Sequence, residues 1–454
     1  MQKKLQKHIG AILTGFILIL LITSCIGKKN KEPVTLTIWH GYAGAMQKSM
    51  DSLIEKFNET VGAREGITVK VTGVADSPVV HERLLAAANK DPGAPPLPDI
   101  ATSYPDVAFI LAKMGVAANF EALLDKATLD RYVPDFLAEG KFDSIPEKGL
   151  YVLPVGKSTE LLYLNRTVFE RFAADTGVKL ENLRTWEGIY AAAKAWYKWT
   201  DEKTPDVPGD GKTFFHYDNL FNYAMIGMEQ LGDSLLKNGT LALDNENFRR
   251  IWDFYYTGAI NGYVTISENF GSHHMQYGDI LCSVSSSAGG IYFPDKITWL
   301  DNTSENIIID ILPCPVFEGG KKVAVQRGGG MLIVKSTPER EKAAALFLKW
   351  FTAPEQNLIF AVTAGYLPVM TDAFTDFEKS KAAEGITNPK IRKTLGTATE
   401  MQKDYRFYYA PTSEDMDELK GKFTRELRQT ARDAKDGLTP NNPDEAYRNF
   451  IQKF

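Results

Sequence analysis

The chain has 454 residues, of which 44% are hydrophobic and 24% charged, and its formal net charge at neutral pH is −5. This length allows two domains of ordinary size, and an acidic chain without clusters of Lys or Arg excludes nucleic acid as the partner. The cysteines are too few for a disulfide scaffold and the histidines show no metal-ligand spacing, so we predict neither a metal site nor a cofactor.

The N-terminus predicts an exported, lipid-anchored protein. Three lysines precede an uncharged apolar stretch at 9–22, whose length suits a signal peptide rather than a transmembrane helix. It ends in Ile-Thr-Ser-Cys at 22–25, which resembles a bacterial lipobox. We therefore predict a leader at 1–25, acylation of Cys25 and a polar tether at 26–33, with acyl chains holding the protein on a membrane. Cleavage of the leader would change the formal net charge to −8. The alternative to a lipobox is an ordinary signal peptide that contains a cysteine.

The next part of the chain alternates strands with helices. Apolar and polar residues alternate at period two in the strands, and the first helix has an apolar face at helical spacing. The predicted elements are strands at 34–39, 67–71 and 99–103 and helices at 45–61 and 81–89. This alternation predicts a mostly parallel α/β sheet.

The rest of the chain is richer in helices. We predict helices at 185–199, 248–256 and 338–352, a final helix at 414–434, and strands at 278–284, 307–312 and 331–334. Thr185 suits the N-cap of its helix, whose aromatic stripe we expect in the core. Cys282 and Cys314 either pair or stay as buried free thiols. Because no segment has the composition of a linker, the sequence favours lobes joined by several chain crossings over successive domains.

Four blocks, taken together and in order, resemble a known family. They are Leu36-Thr-Ile-Trp-His-Gly, Pro98-Asp-Ile, Leu153-Pro-Val-Gly-Lys-Ser-Thr-Glu-Leu-Leu-Tyr-Leu-Asn-Arg, and a C-terminal block from Gly328 through Thr363-Ala-Gly-Tyr-Leu-Pro-Val. The chain resembles the family 1 extracellular solute-binding proteins of bacterial ABC importers, the group of the maltose- and glycerol-phosphate-binding proteins. The resemblance covers nearly the whole mature chain.

This resemblance implies an α/β fold of the type II periplasmic-binding-protein class, with two lobes that close on a ligand in the cleft between them. One lobe is expected to contain 34–154 and 294–350, and the other 155–293 and 351–454. The implied function is capture of a small polar solute (a saccharide, polyol or glycerol phosphate) and its delivery to the permease subunits of an ABC importer. We expect a monomer, exported and lipid-anchored in the cell envelope, without enzymatic activity.

Residues in loops and on the chain crossings supply groups that suit a polyol ligand. Hydroxyl, carboxylate and backbone N–H groups bind sugar hydroxyls, and aromatic faces cover the apolar side of a sugar ring. The candidate ligand-binding residues are Tyr42, Tyr104, Asp106, Ser158, Glu160, Ser286, Ser287, Gly329 and Tyr366.

The reasons differ among these residues. Asp106 follows the third strand, at the sheet edge where α/β proteins bind ligands, although capping of the next helix explains it equally well. Of the polar residues at 158–160, on the crossing, we expect at least one to face the cleft. Small residues at 285–290 leave backbone N–H groups accessible. Tyr366 is carried over from the family's Gly-Tyr-Leu-Pro block, whereas Trp39 is expected in the core.

The chemical class of the solute stays open at this point. The family's glycerol-phosphate binders carry an arginine shortly before their last helix, suited to bidentate phosphate contact. The stretch 408–418 has no arginine here, and neither Arg327 nor Arg406 aligns convincingly, so a neutral saccharide or polyol is at least as suitable. Two other functions are kept as alternatives: a secreted glycoside hydrolase with two carboxylates, and an adhesion or structural lipoprotein with the same fold.

Overall fold

A computed structural model describes residues 32–74, 77–237, 239–299, 301–363, 365–375, 388–413, 415–439 and 442–454. The predicted leader, the lipobox with Cys25 and most of the tether lie outside these residues. No helix in the described ranges has the length and apolar character needed to cross a membrane.

Strands are distributed along the whole chain. They are β1 Val34–His40, β2 Ile67–Val74, β3 Ile100–Ser103, β4 Lys141–Phe142, β5 Gly149–Leu150, β6 Leu153–Pro154, β7 Glu160–Asn165, β8 Phe215–Tyr217, β9 Leu236–Lys237, β10 Thr240–Leu241, β11 Cys282–Ser286, β12 Lys296–Thr298, β13 Ser304–Asn306, β14 Ile309–Leu312, β15 Val323–Val325, β16 Gly330–Ile333 and β17 Arg406–Tyr408. Two larger sheets contain nine of these strands, and the others form two-stranded pairs.

Helices cover the sheets. They are α1 Gly44–Phe57, α2 Ala63–Glu65, α3 Ser77–Asn89, α4 Pro105–Lys113, α5 Phe120–Leu123, α6 Lys126–Leu129, α7 Pro134–Ala138, α8 Arg166–Thr176, α9 Trp186–Asp201, α10 Leu220–Gln230, α11 Glu246–Ile260, α12 Gly271–Gln276, α13 Pro338–Phe351, α14 Pro354–Val362, α15 Thr371–Thr375, α16 Pro389–Asp404, α17 Met416–Lys435 and α18 Pro443–Ile451. A π-helical turn, Asn58–Gly62, joins α1 to α2, and 3₁₀ turns occupy Leu180–Arg184 and Ser287–Tyr292. The helix predicted as the last one is α17, and α18 follows it.

The first sheet has the strand order β2-β1-β3-β16-β6. β1 is parallel to β2 and β3, whereas β16 is antiparallel to both of its neighbours. The β1 residues Leu36 and Ile38 are fully buried, and Trp39 is buried in a second apolar cluster. The prediction that Trp39 is a core residue is therefore confirmed.

The second sheet has the order β14-β7-β11-β8. β7 is antiparallel to β14 and β11, and only β8 and β11 run parallel. The mostly parallel sheet predicted from 34–103 is confirmed by β1, β2 and β3, whereas this second sheet is mostly antiparallel. Alternation of strands and helices along the chain does not fix strand direction where a strand enters a sheet from a crossing segment.

The chain crosses between the sheets along hydrogen-bonded segments. β6 of the first sheet leads within a few residues to β7 of the second, and β15 is followed by β16 of the first sheet. Ser158 pairs with Arg327 through two backbone hydrogen bonds, of 2.8 and 2.9 Å, and Lys157 pairs with Leu367. Three segments of the chain therefore meet where the sheets join.

Packing corrects the predicted assignment of segments to lobes in two places. β14 lies within the range 294–350 expected in the first lobe, yet it pairs with β7 in the second sheet. α14 lies within the range 351–454 expected in the second lobe, yet it packs on α1, and Phe360 makes an edge-to-face contact with Tyr42. The sequence pattern gives the elements but does not say which sheet each one joins.

The side chains decide two further predictions, which concern the start of α9 and the state of the two cysteines. The Thr185 hydroxyl accepts a hydrogen bond from the N–H of Gly188, as expected for the N-cap of α9, and Trp186 and Trp196 of the aromatic stripe are buried. Cys282 and Cys314 are both free and buried, which selects the free thiols over a disulfide.

Candidate ligand-binding cleft

A cavity of about 1020 Å³ lies between the two sheets. One wall consists of residues of α1, α3, β3 and α14 and of the loops after β1 and β3. The other consists of residues of β11 and α12 and of the segments that follow β8 and β11. The lining residues are Gly41, Tyr42, Ala43, Gly44, Ala45, Met46, Ser77, His81, Thr102, Ser103, Tyr104, Gly156, Asp218, Asn219, Phe270, Ser272, His273, Gln276, Ser285, Ser286, Ala288, Gly289, Ile291, Tyr292, Phe293, Arg327, Gly329, Gly330, Phe360, Thr363 and Tyr366. A cavity of this size accommodates a ligand of several rings.

Aromatic side chains face the cavity from both walls. Tyr104 of the first wall and Phe270 and Tyr292 of the second are unusually exposed for large apolar side chains, at 44%, 70% and 71%. Single exposed apolar residues are common, but three around one cavity indicate a binding surface. Their flat faces suit the apolar side of sugar rings.

The first wall also holds a cluster of phenol groups. Burial raises the pKa of Tyr42 well above its ordinary value, and the neighbouring Tyr366 and Tyr104 add to this. Burial raises the pKa of Tyr366 to about 12, and Arg327 opposes the rise. The Tyr42 and Tyr366 phenols therefore stay protonated at neutral pH and can each donate and accept a hydrogen bond.

His81 and Asp218 hold the loops of the two walls. The Nε2 atom of His81 accepts a hydrogen bond of 3.3 Å from the backbone N–H of Tyr104, and burial lowers the pKa of His81. On the other wall, the Asp218 carboxylate accepts a hydrogen bond of 2.7 Å from the N–H of Gly271, at the start of α12. The neutral imidazole and the carboxylate thus fix backbone next to exposed aromatic rings.

Glycine is required at 328 and 329, where the segment between β15 and β16 comes close to the backbone of the first wall. A Cβ atom on Gly329 would lie 2.8 Å from the carbonyl oxygen of Ser103 and 3.1 Å from the Tyr104 ring. Gly328 has φ of +92°, a backbone conformation that other residues rarely adopt. The close approach brings Gly329 and Tyr104 to the same part of the cavity.

Among the described residues that line the cavity, Arg327 is the only Lys or Arg. Its Nη1 atom donates a hydrogen bond of 3.3 Å to Oε1 of Glu160, and the Asn222 amide donates one of 2.7 Å to the same oxygen. Glu160 is buried, and its burial raises its pKa while Arg327 and Asn222 lower it. The cation in the cleft therefore has a carboxylate directly behind it.

Five of the nine predicted ligand-binding residues line the cavity. They are Tyr42, Tyr104, Ser286, Gly329 and Tyr366. They come from five separate parts of the sequence, which the two sheets bring together.

The residues predicted on the crossing segment do not line it. Ser158, Thr159 and Glu160 are all buried, because the segment is hydrogen-bonded to its neighbours on both sides. Ser287 is also buried, and its backbone N–H donates to the carbonyl oxygen of Thr159 at 2.7 Å. The expectation that one of residues 158–160 faces the cavity is wrong.

Asp106 also lies outside the cavity lining. Its carboxylate forms an ion pair of 3.7 Å with Lys420 of α17, which packs on α11. Burial raises the pKa of Asp106, and Lys420 opposes the rise. Its position after β3 predicted a ligand contact, but the side chain contacts α17, a helix that packs on α10 and α11.

Sequence reasoning did not single out Phe270, Tyr292, Asp218 or Asn219. Tyr292 follows the Ser-Ser-Ser-Ala-Gly-Gly segment closely, so its position gave a signal that was not used. The other three lie in loops without a recognisable motif. Among the described residues, no three or more His, Cys, Asp or Glu side chains are grouped to hold a metal ion.

Comparison with known proteins agrees with the fold. The family of bacterial extracellular solute-binding proteins matches residues 52–392. The chain belongs to this family. Membership places it among proteins that bind solutes for import outside the cytoplasm, as predicted, and not among glycoside hydrolases.

Individual relatives differ in the solutes for which they are named. The arabinooligosaccharide-binding protein of Halalkalibacterium halodurans is 24% identical, over 74% of this chain and 71% of its own. The sn-glycerol-3-phosphate-binding periplasmic protein of Brucella abortus is 22% identical, over 89% of this chain and 91% of its own. The structure of the cyclic α-maltosyl-1,6-maltose-binding protein from Arthrobacter globiformis superimposes with a TM-score of 0.69 at 18% identity, over 92% of this chain and 97% of that one. This last likeness shows the two-lobe α/β fold.

Proposed function

We propose that this solute-binding protein captures a neutral oligosaccharide in the cavity between the sheets and delivers it, as a lipid-anchored monomer, to the permease subunits of an ABC importer. The observation that carries this proposal is the pairing of cavity size with aromatic faces on both walls. A cavity of about 1020 Å³ exceeds the needs of a three-carbon phosphate ester. Tyr104, Phe270 and Tyr292 offer stacking surfaces that glycerol phosphate, which has no ring, cannot use.

The charges around the cavity also support an uncharged ligand. Among the described lining residues, Arg327 supplies a guanidinium and Asp218 a carboxylate. Glu160 adds a second carboxylate behind Arg327. A phosphate ester is bound strongly by Arg or Lys donors, and the described lining residues offer it only Arg327, which is already paired with Glu160.

Closure of two lobes is the proposed capture step. We propose that one lobe contains 34–155 and 328–375 and the other 159–326 and 388–454, following the sheets that these segments join. The binding free energy drives closure only to the extent that the ligand prefers the closed state. Contacts to Tyr104 on one wall and Tyr292 on the other provide that preference.

The test uses the exported protein, purified in detergent, and a panel of maltotriose, arabinotriose, glycerol 3-phosphate and glycerophosphocholine. A ligand at 100 times its dissociation constant adds about 2.7 kcal/mol to the free energy of unfolding, which a thermal melt detects. We expect a rise in Tm with a saccharide, with a smaller radius of gyration and a monomer mass in small-angle scattering. A rise with glycerol phosphates alone would contradict the proposed solute class. No response to any compound at millimolar concentration would favour the adhesion or structural alternative.

A further inference from the structure

The ion pair between Arg327 and Glu160 lies at the wall of the candidate ligand-binding cavity. Arg327 is fixed at its backbone by the paired hydrogen bonds with Ser158 and at its head by Glu160, two residues further along the same crossing segment. The Arg327 side chain is 37% exposed and lines the cavity, whereas the Glu160 side chain is 6% exposed. The pair is therefore oriented, with its cation towards the ligand and its anion towards the core.

Asn222 keeps Glu160 in that orientation. The Asn222 amide donates to Oε1, the same oxygen that accepts from Arg327. Asn222 and Glu160 also line a small internal cavity beneath the cleft. The carboxylate is thus held on the protein side of the guanidinium, where it cannot take part in hydrogen bonds to a bound solute.

Arg327 still has hydrogen-bonding capacity for a ligand. A guanidinium carries five N–H donors, and the hydrogen bond to Glu160 involves one nitrogen. Arg327 is also close enough to Tyr366 to oppose the rise in the pKa of that phenol. Its remaining donors suit sugar hydroxyls, while its charge is largely compensated.

We infer that Glu160 is a specificity-determining positioning residue: it orients Arg327 for hydrogen bonding and cancels its charge, so that the cleft accepts neutral solutes and rejects phosphorylated ones. This inference rests on the proposed function and adds the residue that sets the charge preference. In a site of intermediate dielectric, a carboxylate a few ångströms from a bound anion repels it strongly. Removal of that carboxylate leaves Arg327 as an uncompensated cation at a cavity wall.

The test is the variant Glu160→Gln, titrated by calorimetry with glycerol 3-phosphate and with inorganic phosphate. We expect both anions to bind about tenfold more tightly, or better, than to the unchanged protein. The gain should shrink as salt rises from 50 to 300 mM, because screening weakens attraction between an anion and a partly exposed cation. It should vanish in the double variant Glu160→Gln/Arg327→Gln.

Glu305→Gln is the matched control. Glu305 pairs with Arg171 on the surface, outside the cavity, so this variant changes the net charge equally without affecting Arg327. An anion affinity that is unchanged in Glu160→Gln, that rises equally in Glu305→Gln, or that persists without Arg327 overturns the inference.

The variant is expected to fold. Because burial raises the pKa of Glu160, keeping this carboxylate ionised in the folded protein costs stability. Glutamine imitates the protonated form and removes this cost at neutral pH. If Glu160→Gln nevertheless fails to fold, Arg327→Gln decides the question: it should weaken saccharide binding and leave the weak phosphate binding unchanged. An equal loss of phosphate binding would show that Arg327 already acts as a free cation.

Failure of the inference is distinguishable from failure of the proposed function. The inference is decided by the change in anion affinity between variants, whatever the unchanged protein binds. The proposed function is decided by the response of the unchanged protein to maltotriose or arabinotriose.

Discussion

At the scale of single residues, the cleft depends on apolar rings that the fold leaves uncovered. Tyr292 is 71% exposed at the end of a 3₁₀ turn, although most of its aromatic neighbours in the second sheet are buried. Exposure of this kind loses the free energy that burial of the ring would give. A ligand that covers the ring recovers that free energy, and Tyr292 is therefore the residue at which we expect binding to respond most simply to truncation.

Tyr292→Ala is predicted to weaken saccharide binding by about two- to tenfold, the equivalent of losing about 0.5–1.5 kcal/mol of aromatic contact. Calorimetric titration with the saccharide that raises the Tm most gives the dissociation constant. Ile308→Ala is the control, because Ile308 is similarly exposed, at 68%, but lies outside the cavity. Equal effects of the two substitutions would argue against stacking on Tyr292.

At the scale of elements, a buried cluster of polar side chains stabilises the region where the two sheets meet. Lys157 is 2% exposed and forms an ion pair with Glu139, which follows α7, and it also donates to the carbonyl oxygen of Gly328 at 3.2 Å. Gln326 donates to the same carboxylate of Glu139 at 2.6 Å. One carboxylate thus ties two crossing segments to the first sheet's helices.

Lys157→Met is predicted to lower the free energy of unfolding by about 3–5 kcal/mol, because it leaves the Glu139 carboxylate buried without its cation. Urea denaturation followed by tryptophan fluorescence measures the change. Lys126→Met, at an exposed ion pair with Asp130 within one helical segment, should cost no more than about 0.5 kcal/mol.

A double variant separates charge from packing at this site. Lys157→Met combined with Glu139→Leu should recover much of the loss, since replacement of both members of a buried pair by apolar groups is often neutral. Lys157→Met with a denaturation midpoint equal to that of Lys126→Met would mean that the ion pair contributes nothing to the join.

At the scale of the whole molecule, the first described strand, β1, begins at Val34, soon after the predicted tether. The cleft lies between two sheets whose strands come from distant parts of the chain, so both walls must fold before the site exists. We therefore expect anchoring and binding to be separable, because the proposed anchor would depend on Cys25 and the cleft depends on residues that follow β1.

Cys25→Ser is predicted to release the exported protein from the membrane fraction, because the acyl chains are the proposed membrane contact. Fractionation of cells and immunoblotting measure the distribution. Saccharide binding by the released protein should equal that of the anchored form. Retention of the variant in the membrane fraction, at the level of the unchanged protein, would contradict a lipid anchor at this cysteine.

The sequence by itself predicted much of the local structure of this protein. Period-two alternation located β1 and β2, and a hydroxyl before an apolar helical stripe located the start of α9. These features depend on neighbours within a few residues, so a local sequence pattern is enough to predict them. The family blocks likewise carried the fold class and the general function, and they placed Tyr366 and Gly329 in the cleft.

Only the tertiary structure decided which elements share a sheet and which side chains reach the cavity. β14 joined the second sheet, α14 packed beside the first, and Asp106 paired with Lys420. Glu160 turned inward to hold Arg327, although its sequence position suited a ligand contact. These outcomes depend on contacts between residues more than a hundred positions apart, which no local periodicity encodes. The physical reason is that a side chain's role is set by what packs against it, and here that is determined by the three chain segments meeting between the sheets.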